Sequence, residues 1–170
     1  METQSTKEHK THSKKHIDFG IITVSTSRNA KGGRDTSGDN LAHSIENHHY
    51  CVAKRTIVPD NKNQIKNKVL EYLDAVDIII TTGGTGIAKT DITVEAVRPL
   101  FDKELESFNT IFMIKSHESI GTASMLSRAC AGIIKGKVVF CLPGSPDACA
   151  LAIEKIILKE AGHILKHAGE

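Results

Sequence analysis

The 170-residue sequence predicts an α/β fold with a mainly parallel sheet, and three features point that way. From His16 onward, short β-branched apolar runs alternate with longer amphipathic stretches. The first run, IDFGIITVS, is apolar enough for a strand covered by helices on both faces. Each run gives way to a polar or glycine-rich loop, the punctuation of βα units.

The elements follow in order. IDFGIITVS (17–25) reads as a first strand buried on both faces, and SGDNLAHSIENH (37–48) as a helix with Asp35, Thr36 and Ser37 as capping candidates. YCVAKRTIV (50–58) is a second strand stopped by Pro59, after which Asp60 or Asn61 caps a helix over 61–75 with Ile65, Val69, Leu70 and Leu73 at helical spacing. VDIIITT (76–82) is a third strand running into Gly83 and Gly84. TVEAVRPLFDKELESF predicts a helix capped by Thr93 and kinked at Pro99. FNTIFMIKSH is ambiguous between strand and helix by periodicity. IGTASMLSRACAGIIKG predicts a close-packed helix ending near Gly132 or Gly136, with an interface-like stretch over 121–132 and Arg128 in its middle. KVVFCLPG is a last strand, and PDACALAIEKIILKEAGHILKH a long closing helix with Pro146 in its first turn.

Composition narrows the function. Charged residues make up 25% and aromatics 4%, and the net charge is +2, from 22 basic and 20 acidic residues. So small an excess argues against a nucleic-acid binder. No apolar run approaches the ~18–20 residues of a membrane span, and the opening METQSTKEHKTHSKKH lacks the apolar core of a secretory signal. These features predict a cytoplasmic protein. Residues 1–15 hold four lysines, two glutamates and almost nothing apolar, which predicts a disordered tail ahead of a single domain over 16–170. Cys51, Cys130, Cys141 and Cys149 form no C-x-x-C pair and each sits in an apolar segment, so buried, reduced thiols are expected.

Parallel sheets bind ligands beyond the carboxyl ends of their strands. Here that rule selects 25–38, 59–61, 81–91 and 142–147, all polar or glycine-rich. Thr81-Thr82-Gly83-Gly84-Thr85-Gly86 follows a buried strand, and its glycines let backbone N–H groups approach a phosphate. GGTGIAKT comes close to the P-loop pattern, but Ala88 stands where the second glycine belongs and no later strand ends in the expected Asp. Asp60 and Asp91 fall on the same rim. Two carboxylates beside a phosphate suggest a bridging Mg²⁺, which takes one or two carboxylates plus substrate phosphates, although each alone also reads as a helix cap. Leu142-Pro143-Gly144-Ser145-Pro146-Asp147 is a strand-to-helix turn suited to an anion, and Ser25-Thr26-Ser27-Arg28 places three hydroxyls and a cation after the first strand. Arg128 reads as an ion-paired residue or an anion clamp.

The run TTGGTGIAKTDITVEAVRPLFDKEL, followed by SIGTASMLSRACAG and LPGSPDACALA and preceded by DTSGDNLAHSIE, resembles the MoaB/Mog family of molybdenum cofactor biosynthesis over roughly 17–158. PLFDKELESF and SHESIG lean toward the MoaB branch. The resemblance implies a three-layer α/β/α molybdopterin-binding domain, a helix at FNTIFMIKSH, and a homotrimer or homohexamer. It implies adenylylation of molybdopterin with Mg²⁺ and ATP, releasing pyrophosphate and preparing the pterin for insertion of molybdenum or tungsten, with a metal-insertion protein as a further partner. The alternative is a non-catalytic molybdopterin-binding scaffold of the MoaB branch.

Carried onto matching positions, the resemblance makes Asp91 and Asp60 the catalytic, Mg²⁺-holding acids. Thr82, Gly83, Gly84, Thr85 and Gly86 are the nucleotide-binding residues. Ser25, Ser27, Ser116, Ser119, Gly144 and Ser145 line the pterin-phosphate side. This sequence departs from the family at Thr90, where many members have Arg, at Val94, often Pro, and at Ser27-Arg28, often Ser-Asp.

Overall fold

The computed structural model describes residues 16–170. The expected tail over 1–15 lies outside the described residues. A six-stranded sheet runs in the order β2-β1-β3-β6-β5-β4. Its strands are β1 (Asp18–Val24), β2 (Cys51–Val58), β3 (Ile78–Thr82), β4 (Lys103–Glu104), β5 (Cys130–Ile134) and β6 (Lys137–Leu142). β2, β1, β3 and β6 are mutually parallel, while β5 is antiparallel to β6 and β4 to β5. The expected mainly parallel sheet is therefore present, with an antiparallel edge.

Helices cover both faces. Alternation along the strands sends Phe19, Ile21, Ile78, Ile80, Val138 and Phe140 to one side, against α2 (Thr36–Asn47), α5 (Glu106–Ile120) and the C-terminal helices. Ile22, Ile79, Val139 and Cys141 face the other side, against α3 (Lys62–Leu73) and α4 (Thr93–Val97). A short helix α1 (Thr26–Lys31) follows β1. The closing helix begins at α6 (Pro146–Ala152), widens through a π turn (Ile153–Ile157) and ends as α7 (Leu158–Ala168).

Caps set several helix starts. Asp35 accepts from Gly38 N–H, Asn61 from Asn63 and Gln64 N–H, and Ser145 from Ala148 N–H. Asp35 is buried and also accepts from Thr23 Oγ1 at 2.6 Å and from Arg55 Nη2 at 3.0 Å. Burial pushes its carboxyl up, but the bonds from Thr23, Arg55 and Gly38 outweigh that and hold it below its ordinary value.

Four expectations are corrected. The helix drawn through IGTASMLSRACAGIIKG is a 3₁₀ turn (Gly121–Leu126) followed by β5, whose five residues are all buried. Lys135 and Gly136, with φ of +50° and +75°, then turn the chain into β6 as a two-residue hairpin. The hairpin wins because Cys130–Ile134 can pair along β6 with both faces covered, which a helix in that place would forgo. Arg128 therefore lies in the loop entering β5 and not in a helix. Thr93 is not an N-cap: Ile92 occupies that position and the Thr93 hydroxyl donates to Gly83 O at 2.7 Å. The helix begun there ends after five residues, passing into a 3₁₀ turn at Arg98–Leu100 around Pro99, so the expected long kinked helix is two short pieces and β4. Finally, Cys51 is exposed at the start of the edge strand β2, whereas Cys130, Cys141 and Cys149 are buried free thiols as expected. FNTIFMIKSH lies within α5 and is helical.

Candidate active site

The connection from β1 runs to β2 on one side, and β3 lies on the other, so the chain reverses direction beside β1 and opens a crevice past the strand ends. There β1, β3 and β6 deliver Thr23, Thr82 and Leu142 side by side. Gly83 leaves β3 with φ +103°, and an added Cβ would lie 2.4 Å from Val24 O. Gly84 follows with φ +67°, and a Cβ there would lie 2.4 Å from Thr93 Oγ1. Only glycine permits this turn at this distance from the neighbouring strand. Gly83 N–H donates to Leu142 O at 3.0 Å, Thr93 N–H to Gly84 O at 3.0 Å, and Thr82 Oγ1 to Pro143 O at 3.0 Å. The two loops after β3 and β6 are thus locked to each other. The Ser37 hydroxyl anchors the second loop by donating from Oγ to Gly144 O at 2.8 Å.

A cavity of about 380 Å³ opens between these loops and α5. Its polar wall includes Gly84, Thr85, Gly86, Asp91, Ser116, Gly144 and Ser145, and its apolar wall includes Phe112, Ile120 and Leu126. Among the described residues, the amides of Gly84, Thr85, Gly86 and Ile87 donate to no protein acceptor. Three of these amides, at Gly84, Thr85 and Gly86, belong to residues that line the cavity, and successive free N–H groups on a glycine turn can hold an anion. The Thr85 hydroxyl is buried and is the one buried side-chain polar atom among the described residues without a partner. A neighbouring hollow of about 430 Å³ shares Ser116 and Ser145 and adds Lys115, Ser119 and Lys155.

Asp91 is half-buried and accepts from Ala88 N–H at 2.9 Å through Oδ2. Asp60 stands one strand further out, beside β1, and does not line this cavity. Its Oδ2 accepts from Thr26 N–H at 2.8 Å and Thr26 Oγ1 at 2.7 Å. Ser25 caps α1 and sits 3.3 Å from Ser27 Oγ, so both belong to the Asp60 side of the crevice and not to the cavity wall. Thr82 and Gly83 are buried beneath the wall and support it. The structure thus brings together Gly84, Thr85, Gly86, Asp91, Ser116, Gly144 and Ser145. Ser119 is added through the adjoining hollow, and Asp60, Ser25 and Ser27 form a second rim.

Sequence reasoning missed Ser124 and Ser127, which line the cavity, because it placed them in a helix. It also missed Glu95, the ion-pair partner of Arg128. The Arg128 guanidinium bonded to Glu95 holds that carboxyl below its usual range, against a smaller opposing effect of burial. Burial pushes the Cys149 thiol up to about 11, and its Sγ lies 3.3 Å from Pro143 O. The thiol beneath the loops is therefore protonated at neutral pH and unsuited to nucleophilic attack. Among the described residues, no cluster of three or more His, Cys, Asp or Glu side chains is arranged to hold a metal. No described helix is long and apolar enough to cross a membrane.

Residues 20–163 match the family model described as a probable molybdopterin binding domain. A probable molybdopterin adenylyltransferase from Methanocaldococcus jannaschii is 46% identical, the match covering 92% of this chain and 96% of that protein. A molybdopterin adenylyltransferase from Pyrococcus furiosus is also 46% identical, over 96% of this chain and 98% of that one. The crystal structure of the tungsten cofactor synthesizing protein MoaB from Pyrococcus furiosus superimposes with a TM-score of 0.86 at 44% identity, covering 93% of this chain and all of that one.

Proposed function

The chain belongs to the molybdopterin-binding-domain family that includes MoaB, and from that premise we propose that it is a molybdopterin adenylyltransferase. It is an enzyme of molybdenum or tungsten cofactor biosynthesis that transfers AMP from ATP to molybdopterin and releases pyrophosphate. A terminal phosphate oxygen of the pterin attacks the α-phosphorus of ATP. The new P–O bond forms as the bond from that phosphorus to the pyrophosphate oxygen breaks. The attacking phosphate is already ionised, so positioning and charge neutralisation supply the rate acceleration.

The observation that carries the reading is the row of free amides at Gly84, Thr85 and Gly86, residues that line a cavity with an unpartnered hydroxyl at Thr85. The amides of Gly84, Thr85 and Gly86 hold nucleotide phosphates, with Thr82 and Gly83 setting the turn from below. Ser116, Ser119, Gly144 and Ser145 receive the pterin phosphate, and Ser25 and Ser27 close the Asp60 rim. Mg²⁺ fits this donor set: Asp91 keeps Oδ1 free beside the phosphate amides, and the ion needs only one or two carboxylates when phosphates complete its shell. Asp91 would hold it, with Asp60 on the second rim as the other candidate carboxylate. When bound, the ion neutralises negative charge developing on the pyrophosphate.

The protein works in the cytoplasm as a homotrimer or homohexamer and hands its product to a metal-insertion protein. The deciding experiment incubates the purified chain with molybdopterin and ATP, with and without Mg²⁺, and measures pyrophosphate together with AMP-bound pterin. Both products should appear only in the presence of Mg²⁺ and pterin. Tight pterin binding without pyrophosphate release would establish a binding protein instead.

A further inference from the structure

One side chain grips the glycine loop from behind. Arg128 and Glu95 line a hollow on the outer side of the loop and are absent from the wall of the central cavity. Arg128 N–H donates to Thr85 O at 2.9 Å. Its Nε donates to Gly86 O at 2.8 Å and its Nη2 to Asp91 O at 3.0 Å. The guanidinium is itself held by Glu95, through Nη1 to Oε1 and through Nη2 to Oε2 at 3.3 Å. The guanidinium therefore fixes two carbonyls of the 85–91 loop, at Gly86 and Asp91, and the Arg128 backbone N–H, which any residue here would supply, fixes a third at Thr85.

In a trans peptide the N–H points opposite to the C=O of the same plane. Turning the carbonyls of Thr85 and Gly86 toward Arg128 therefore turns the amides of Gly86 and Ile87 away from it. These are two of the four amides without a protein acceptor. A carbonyl flipped into the cavity would meet a phosphate as a like partial charge. The bond to Asp91 O fixes the backbone from which the Asp91 carboxylate projects.

We infer that Arg128 is a positioning residue for AMP transfer, its side chain holding the Gly86 and Asp91 carbonyls so that the free amides of the loop and the Asp91 carboxylate are presented to the substrate. The inference rests on the reading of this site as an AMP-transfer site. Lysine cannot replace the clamp, since one ammonium nitrogen lacks the planar fork that reaches separate acceptors together.

The test uses the full chain with Arg128→Ala, Arg128→Lys and Glu95→Gln. Steady-state kinetics, thermal melts and calorimetric titration with Mg²⁺-ATP are run on each variant. Arg128→Ala should lose about 100-fold in kcat at a temperature well below its Tm, with a smaller rise in KM for ATP. Low-millimolar guanidinium should restore at least about tenfold of that loss, which a residue acting only on stability would not show. Arg128→Lys should stay near Arg128→Ala, and Glu95→Gln should fall between it and wild type. Wild-type kcat in Arg128→Ala, or a loss that guanidinium does not relieve, overturns the positioning role. Should the wild-type chain transfer no AMP at all, weaker Mg²⁺-ATP binding in Arg128→Ala upholds the clamp while the AMP-transfer reading fails. Equal binding by the two proteins overturns the clamp.

Discussion

The buried hydroxyl of Thr85 sets stability against binding, because it has no protein partner. A buried polar group left unpaired costs about 1–3 kcal/mol. Thr85→Val, nearly the same shape, should therefore raise Tm by about 2–4 °C for each kcal/mol relieved in a chain of this size and weaken Mg²⁺-ATP or pterin binding by about tenfold. Differential scanning calorimetry and ligand titration measure the two effects; a lower Tm with unchanged affinity would remove Thr85 from the binding surface. Asp91→Asn keeps an oxygen to accept from Ala88 N–H but loses the charge. It should cut kcat by about 10²-fold or more with little change in Tm. Asp60→Asn should cost less, about tenfold, because Asp60 stands off the cavity and its Oδ2 is already held by Thr26. Equal rates for Asp91→Asn and wild type would take the carboxylate out of the chemistry.

At the level of elements, legibility followed burial and chain distance. β1, β3 and β6 are buried along nearly their whole length, so uninterrupted Ile/Val runs announced them. Asp35 and Asn61 announced their helices because capping is a local bond. The site loops could be read because topology alone puts loops after parallel strands on one rim. The β5–β6 hairpin could not be read, since Ala129–Ile134 is small and apolar in either conformation and only pairing with β6 decides between them. Its turn also lacks the Asn-Gly or Asp-Gly signal, having Lys135 at φ +50° instead. The Arg128–Glu95 pair spans 33 residues and follows from the same hairpin, so it was hidden with it. That turn yields a prediction of its own. Asn tolerates the left-handed region better than Lys, and the Lys135 backbone N–H bond to Asp102 survives the change. Lys135→Asn should stabilise the protein by about 0.5 kcal/mol, seen as a higher Tm with unchanged kcat.

For the molecule as a whole, a net charge of only +2 means that the proposed recognition of polyanions would rest on local amides and a bridging cation and not on a general positive field. Stability should nonetheless depend on pH through Asp35, whose folded carboxyl sits below its ordinary value. A depressed carboxyl adds stability that is complete above its unfolded pKa near 4 and is lost as pH falls through the lower folded value. Acid denaturation below about pH 4 should therefore be steeper in wild type than in Asp35→Asn, as urea midpoints across that range would show. The surface raises a second question of scale. Ile111, Ile114, Ile120, Met125 and Leu126, between 44% and 74% exposed, lie on α5 and the 3₁₀ turn that follows it. So much apolar surface on adjoining elements is the mark of an interface, and Ile120 and Leu126 also wall the central cavity. The proposed homo-oligomer would cover this face and tie assembly to the site. Light scattering should give a mass near three or six times the 18.5 kDa chain, and Ile114→Glu, off the cavity wall, should shift it toward the monomer. A charge buried in such an interface cannot keep its water, so dissociation should be pronounced. A wild-type monomer at micromolar concentration would leave the apolar face without this partner, whereas a dissociated Ile114→Glu that also loses AMP transfer would show that the neighbouring copy completes the cavity.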